Sequence, residues 1–85
     1  MRLLTTKPFE DDYAGLPERI RVLVNRKLAL LLESPRHPSL RVKKMEDPRA
    51  IWEARITKSY RLTFQMAGDT CILRRIGPHD ILKTP

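Results

Sequence analysis

Two neighbouring stretches of the sequence, IWEARITK at 51–58 and SYRLTFQM at 59–66, alternate apolar and polar residues. A three-residue turn between them keeps all apolar side chains on one face of the resulting hairpin, whereas a two-residue turn mixes the faces. This register places Arg55 directly opposite Arg61, where like charges destabilise a sheet. Because guanidinium groups bind phosphate oxygens through paired hydrogen bonds, the two opposed arginines predict an anion-binding site. The alternative is a surface network in which Glu53, one diagonal away, partly neutralises both arginines.

More cations are expected on the arginine face of the predicted sheet. A two-residue turn in the segment AGD extends the sheet into the next strand, where it places Arg74 beside Thr63 on the arginine face. The same register turns Arg75 toward the core side. One of Lys43 and Lys44, from a short basic strand, should also lie on the arginine face. A cationic sheet surface of this kind suits a phosphodiester backbone, and Lys43, Lys44 and Arg74 are candidate phosphate contacts.

The two histidines have different predicted roles. His79 follows Gly77-Pro78, which ends the last strand near the arginine face. Cations around an imidazole favour its neutral form, which suits a general base; the alternative is an ordinary surface histidine. His37 lies in a proline-rich loop and is interpreted as structural or incidental. Neither has carboxylate or cysteine companions at ligand spacing, so we expect no metal site and no cofactor.

Composition limits the class of protein. The chain has 85 residues, a single cysteine and a net charge of +7. This length predicts one domain, residues 1–85, and the charge predicts an acidic partner, although basic residues can also serve solubility alone. Cys71 cannot form a disulfide within the chain and is expected in the core. No segment resembles a signal peptide or is long and apolar enough to span a membrane, so the expected location is the cytoplasm.

The order of predicted elements defines the fold class. A short strand at 2–6 precedes a helix that Thr6 could cap, and a longer amphipathic helix follows from about residue 17. Its apolar residues recur at spacings of three and four: Leu16, Ile20, Leu23, Val24, Leu28 and Leu31. Four strands come next. A strand, two helices and a run of strands predict an α+β fold, with both helices on one face of a small antiparallel-rich sheet.

The pattern W-E-A-R-I, Y-R-L-T-F and I-L-R-R-I-G-P-H, after a helical first half, resembles the RelE/ParE superfamily of type II toxin–antitoxin toxins. The resemblance implies the RelE-like fold and an acidic antitoxin as partner. For the RelE-like branch it also implies a ribosome-dependent endonuclease that cuts mRNA in the ribosomal A site without a metal. Three alternatives stay open: a ParE-like inhibitor of DNA gyrase, a non-catalytic member that only binds its antitoxin, and an RNA-binding module without chemistry.

The resemblance also suggests roles for individual residues. Arg61 matches an arginine that contacts the phosphate and transition state, Arg55 matches a basic residue of the preceding strand, and His79 matches a catalytic position. The chain departs from the family pattern at two places. Glu53 stands where the best-known RelE branch has a lysine, and Lys83 stands about where many nuclease members have an aromatic residue. Lys83 is accordingly a candidate substrate contact.

Overall fold

The computed structural model describes all residues, 1–85, as five strands and two α-helices. The first half contains β1 (Arg2–Thr5), α1 (Lys7–Ala14) and α2 (Glu18–Glu33). The second half contains the sheet strands β2 (Lys43–Lys44), β3 (Trp52–Arg55), β4 (Tyr60–Ala67) and β5 (Thr70–Pro78). Short 3-10 turns occupy Pro38–Leu40 and His79–Lys83. This order confirms the predicted α+β class.

The start of α1 is fixed by Thr6, as its sequence predicts. The Thr6 hydroxyl accepts a hydrogen bond from the backbone N–H of Phe9, which has no partner within the helix. It also donates to the carbonyl oxygen of Leu73 at 2.8 Å. Since Leu73 belongs to β5, the cap of α1 is also its attachment to the sheet.

The apolar stripe of α2 forms the helical half of the core. Ile20, Val24 and Leu31 are almost completely buried, while Leu23 and Leu28 are partly buried against the same cluster. Burying each of these side chains contributes about 1.5–3 kcal/mol. The opposite wall of the core comes from the inward residues of the three central strands: Ala54, Leu62, Phe64, Cys71, Leu73 and Ile76. Neither helix has the length and hydrophobicity needed to cross a membrane.

The sheet has the order β1-β5-β4-β3-β2. β1 runs parallel to β5, and all other neighbours are antiparallel. The predicted turn in AGD is confirmed, because Ala67 pairs with Thr70 and Gly68 has a φ of 61°. Glycine adopts this left-handed conformation without the steric cost that a side chain brings. Met66 then pairs with Cys71, and Phe64 with Leu73, on the core side.

A β-bulge at Thr63 and Phe64 corrects one part of the predicted register. Phe64 pairs with Leu73, but Thr63 pairs with Arg75, so Arg74 is the extra residue of β5. The predicted pairing of Arg74 with Thr63 is therefore wrong, although Arg74 lies on the arginine face as predicted, where it donates to Gln65. The predicted core-side position of Arg75 is wrong. An added residue reverses the alternation of side chains beyond it. Ile76 takes the buried position instead, at 1% exposure.

Candidate functional site

The predicted arginine pair is present at one end of the sheet, on the face away from the helices. Arg55 in β3 lies directly opposite Arg61 in β4, which confirms the register derived from the sequence. None of the three ion pairs in the structure involves either arginine. Glu53 makes no salt bridge and pairs across the strands with Thr63. The alternative network of Glu53 with the two arginines therefore does not form, and the guanidinium charges stay uncompensated by carboxylates.

The hairpin turn fixes the orientation of Arg61. Its Nη1 donates hydrogen bonds to the carbonyl oxygens of Thr57, Lys58 and Tyr60 at 2.7, 3.0 and 3.1 Å. The turn itself is braced by the Thr57 hydroxyl, which accepts from the N–H groups of Ser59 and Tyr60. These contacts use one nitrogen of the guanidinium. Its Nε and Nη2 make no hydrogen bond within the protein and are free to donate to an anion.

The short strand β2 places its two lysines on opposite faces. Lys43 pairs with Glu53 and therefore lies on the arginine face, as expected for one of the two residues. Lys44 pairs with Trp52, whose side chain faces the helices. Successive side chains of a strand point to opposite faces, so the two lysines cannot share one site on the sheet. Lys44 thus lies outside the predicted site.

His79 lies beside the hairpin turn that holds Arg61. Its backbone N–H donates to the carbonyl oxygen of Ser59 at 2.9 Å, which ties the start of the last 3-10 turn to this hairpin. The His79 side chain is exposed and makes no hydrogen bond within the protein. We refer to Lys43, Arg55, Arg61 and His79 as the cationic site. It combines two guanidinium groups, one ammonium group and an imidazole that makes no hydrogen bond within the protein.

His37 has the structural role that its proline-rich context suggested. It caps the 3-10 turn Pro38–Leu40, and its Nδ1 accepts a hydrogen bond from the backbone N–H of Ser39 at 3.2 Å. Cys71 is fully buried in the core as expected, and burial raises the pKa of its thiol to about 11. No group of three or more histidine, cysteine or acidic side chains comes close enough together to hold a metal ion.

A feature that the sequence analysis missed is the folded C-terminal segment, residues 79–85, which we call the strap. It packs on the arginine face of β4 and β5. The carbonyl oxygen of Pro85 accepts hydrogen bonds from the Thr63 hydroxyl at 3.2 Å and from Nε of Arg74 at 3.1 Å. Ile81 packs on Gly77, where an added Cβ would lie 2.9 Å from the Ile81 methyl. Ile81 is buried by this contact, and the apolar pair Ile81 and Leu82 is the sequence signal for it.

Arg74 and Arg75 hold the strap and are not part of the cationic site. Nη1 of Arg74 donates to Gln65, and Nη1 of Arg75 donates to the carbonyl oxygen of Thr84. Arg75 also forms an ion pair with Asp12 of α1, with Nε 2.6 Å from Oδ2. The hydrogen bond to this carboxylate raises the pKa of Arg75. The sequence could not reveal the ion pair, because Asp12 and Arg75 are 63 residues apart.

Lys83 lies at the far end of the strap, in an open cleft of about 780 Å³ that the cationic site does not line. The cleft also contains Arg49 and Asp47, which form an ion pair at 2.7 Å. The hydrogen bonds from Arg49 lower the pKa of Asp47 to about 2. The structure therefore separates Arg74 and Lys83 from the other predicted substrate contacts.

The fold is that of RelE/ParE-like toxins. A YoeB/ParE toxin from Agrobacterium tumefaciens superposes with a TM-score of 0.77 at 20% identity, covering 93% of this chain and 99% of that one. The E. coli DinJ–YafQ complex gives a TM-score of 0.81 at 14% identity, over 96% and 98%. The RelB–RelE antitoxin–toxin complex from Methanococcus jannaschii gives 0.76 at 23%, over 95% of both chains.

These superpositions show similarity of fold, and they confirm the fold that the resemblance of the sequence implied. No model of a protein family matches the sequence. No curated protein matches it either. Two observations bear on the function: the arrangement of the cationic site, and the identity of the structural relatives as toxins.

Proposed function

We propose that this chain is the toxin of a type II toxin–antitoxin pair and that it is a ribosome-dependent mRNA endonuclease. The observation that carries the proposal is the pair Arg55 and Arg61, which are adjacent on the sheet and have no carboxylate partners. The backbone of His79 is hydrogen-bonded to the hairpin turn that holds Arg61. A pair of like charges in direct opposition costs stability, and a bound phosphate would offset that cost. Two of the structural relatives are complexes of a toxin with its antitoxin.

The proposed chemistry is attack of a ribose 2′-OH on the adjacent phosphodiester, without a metal ion. His79 accepts the 2′-hydroxyl proton as the new P–O bond forms, and the leaving 5′ oxygen takes a proton from solvent. The products are a 2′,3′-cyclic phosphate and a 5′-hydroxyl end. Proton transfer by one side chain contributes about 10²–10⁴-fold to such a rate.

In this mechanism the arginines stabilise the charge that develops on the phosphate oxygens. Arg61 is oriented before substrate binds, because its Nη1 is already held by the three carbonyl groups of the turn. An oriented donor needs little reorganisation during the reaction, which is the main source of electrostatic catalysis. The side chain of Arg55 makes no hydrogen bond in the protein and can follow the phosphate. Lys43 is placed to contact a neighbouring phosphate of the same strand.

The proposed partner is an acidic antitoxin, and the proposed location is the cytoplasm, where translating ribosomes are found. The net charge of +7 on 85 residues favours a polyanionic partner. Occupation of the cationic site by carboxylates of the antitoxin would exclude RNA, because both ligands use the same guanidinium donors.

The test is mRNA cleavage in a purified translation reaction, mapped by primer extension. We expect cuts that depend on ribosomes, and we expect both Arg61→Ala and His79→Ala to lower the cleavage rate at least about 100-fold. Arg26→Ala is the matched control, because Arg26 is an exposed arginine of α2 whose side chain makes no hydrogen bond. Circular dichroism establishes that each variant is folded.

Three results would contradict parts of the proposal. Unchanged cleavage in folded Arg61→Ala removes this residue from the site. Intact mRNA together with inhibited gyrase supercoiling shows a ParE-like toxin, in which case His79→Ala should not alter toxicity. Normal growth on overproduction, with intact mRNA and active gyrase, shows a non-catalytic protein that binds an antitoxin.

A further inference from the structure

The hairpin turn between β3 and β4 gathers three backbone carbonyl groups around one guanidinium nitrogen. Nη1 of Arg61 donates to the carbonyl oxygens of Thr57, Lys58 and Tyr60. Three carbonyl oxygens can converge on one nitrogen only where the backbone has a defined conformation, because each peptide plane must point its oxygen inward. The position of the Arg61 guanidinium is therefore set by the shape of the turn.

The shape of the turn depends in turn on one side chain. The hydroxyl oxygen of Thr57 accepts from the backbone N–H groups of Ser59 at 3.2 Å and Tyr60 at 3.1 Å. No carbonyl group accepts from the N–H of Ser59, so this hydroxyl is its partner in the protein. Threonine is suited to the role, since its branched Cβ restricts rotation about χ1 and keeps the hydroxyl directed at the backbone.

Arg61 needs this support because it lies among cations. Arg55 stands directly opposite it on the sheet, and Lys58 in the turn adds a further positive charge. Opposed like charges repel, and no carboxylate holds either arginine. The negative ends of the three carbonyl dipoles are thus the groups that keep Arg61 near Arg55. Without them the flexible side chain is free to turn away from its neighbour.

We propose that Thr57 is a positioning residue of the cationic site, which acts on a bound phosphate through Arg61. The hydroxyl fixes the turn, the turn directs its carbonyl groups, and these hold Nη1 so that Nε and Nη2 face the anion. The part of this proposal that concerns catalysis rests on the nuclease function proposed above. The part that concerns the order of Arg61 stands without it, and the two parts have separate tests.

The first experiment measures the motion of Arg61 by ¹⁵N NMR and requires no activity. Rotation about the Nε–Cζ bond exchanges the two Nη signals of an arginine, and hydrogen bonds to Nη1 slow that rotation. We expect two resolved Nη signals in wild type and Thr57→Ser, and exchange about tenfold faster in Thr57→Val, which lacks the hydroxyl. Thr5→Val is the matched control, because the Thr5 hydroxyl bonds Glu10 at the edge strand β1.

The second experiment measures kcat and KM for mRNA cleavage in the purified translation reaction. Thr57→Val should lower kcat about tenfold and change KM less than about twofold, because Arg61 still reaches the phosphate but is no longer held as charge develops. Thr57→Ser, which keeps the hydroxyl, and Thr5→Val should cleave like wild type. In an Arg61→Ala background, Thr57→Val should cause no further loss, since the residue through which it acts is absent.

Two results would overturn the proposal. One is unchanged Nη exchange in Thr57→Val that circular dichroism shows to be folded, with Thr57→Ala as a second variant that removes the hydroxyl. The other is a further loss of cleavage when Thr57→Val is added to Arg61→Ala, which would show that Thr57 acts by another route. Faster Nη exchange in Thr57→Val, with mRNA left intact by wild type, would support the positioning of Arg61 and contradict the nuclease function alone.

Discussion

Replacement of Asp12 by alanine should destabilise the protein far more than replacement of its neighbour Asp11. Both aspartates lie in α1, and both form an ion pair with a cation. Asp12 accepts from Nε and Nη2 of Arg75 at 2.6 and 3.2 Å, and from the backbone N–H of Ile76 at 3.2 Å. It thereby joins the first helix to β5 and, through Arg75, to the strap at Thr84.

The expected loss in free energy of unfolding follows from how exposed the side chains of each ion pair are. A fully buried ion pair that loses one partner costs about 3–5 kcal/mol, and an exposed pair contributes about 0–1 kcal/mol. The side chains of Arg75 and Asp12 are 29% and 20% exposed, which places Asp12→Ala between these limits, at about 2 kcal/mol. For a domain of this size that loss lowers the thermal midpoint by about 8–16 °C. Lys7 and Asp11 are 79% and 63% exposed, so solvent screens this pair and Asp11→Ala should cost much less than Asp12→Ala.

The assay is thermal and urea unfolding followed by circular dichroism for both variants. A double-mutant cycle with Arg75→Met isolates the pairwise energy between Asp12 and Arg75. Asp12→Asn can still accept from Ile76, so its free energy of unfolding should lie between those of wild type and Asp12→Ala. If Asp12→Ala costs no more than Asp11→Ala, the pair with Arg75 does not anchor the strap, and the structural argument is wrong.

Three further predictions concern the strap contact and the shifted pKa values. Gly77→Ala should cost about 1–3 kcal/mol in urea unfolding, because the added methyl meets Ile81 and must displace the strap. Asp47 has a pKa of about 2 when folded, against 3.8 as its ordinary value, so its pairing with Arg49 stabilises the protein above about pH 4. This stabilisation should be lost as the pH falls through 2. The difference in free energy of unfolding between wild type and Asp47→Asn should therefore become smaller over that range. Burial raises the pKa of the Cys71 thiol from 9.0 to about 11, so this thiol should ionise only near pH 11 in an absorbance titration at 240 nm. The free energy of unfolding should accordingly fall as the pH rises from 9 to 11.

Each of these three predictions has a control measurement whose result can contradict it. Gly15→Ala meets only backbone oxygens at 3.6 Å or more and should cost less than Gly77→Ala. A constant stability difference between wild type and Asp47→Asn down to pH 2 would show that Asp47 is not paired in solution. Rapid labelling of Cys71 by a thiol reagent at pH 8, in folded protein, would contradict its burial.

The strap gives the cationic site a defined boundary. Without it, the arginine face would extend across β5 and include Arg74 and Arg75. Their hydrogen bonds to Thr84 and Pro85 withdraw both guanidinium groups from ligand binding. Our proposed function therefore rests on fewer cations than the sequence alone suggested, but these cations are adjacent and one of them is rigidly held.

The sequence by itself determined the features that depend on local patterns. The spacing of apolar residues from Leu16 to Leu31 predicts the buried face of α2, and Thr6 predicts the start of α1. Face parity predicts the opposition of Arg55 and Arg61, because a half-buried hairpin permits only one register that buries every apolar side chain. These outcomes follow from the periods of the helix and the strand.

Only the tertiary structure decided the features that depend on distant segments. The bulge that turns Arg75 to the arginine face leaves no unambiguous mark in the sequence, because Arg74 and Arg75 are both arginines. Asp12 reaches Arg75 across 63 residues, and the Thr63 hydroxyl finds its acceptor in Pro85. Such polar contacts obey no periodicity, since hydrogen bonding requires only that two groups meet in space. The sequence therefore supplied the cations, and the folded chain determined which of them remain free to bind an anion.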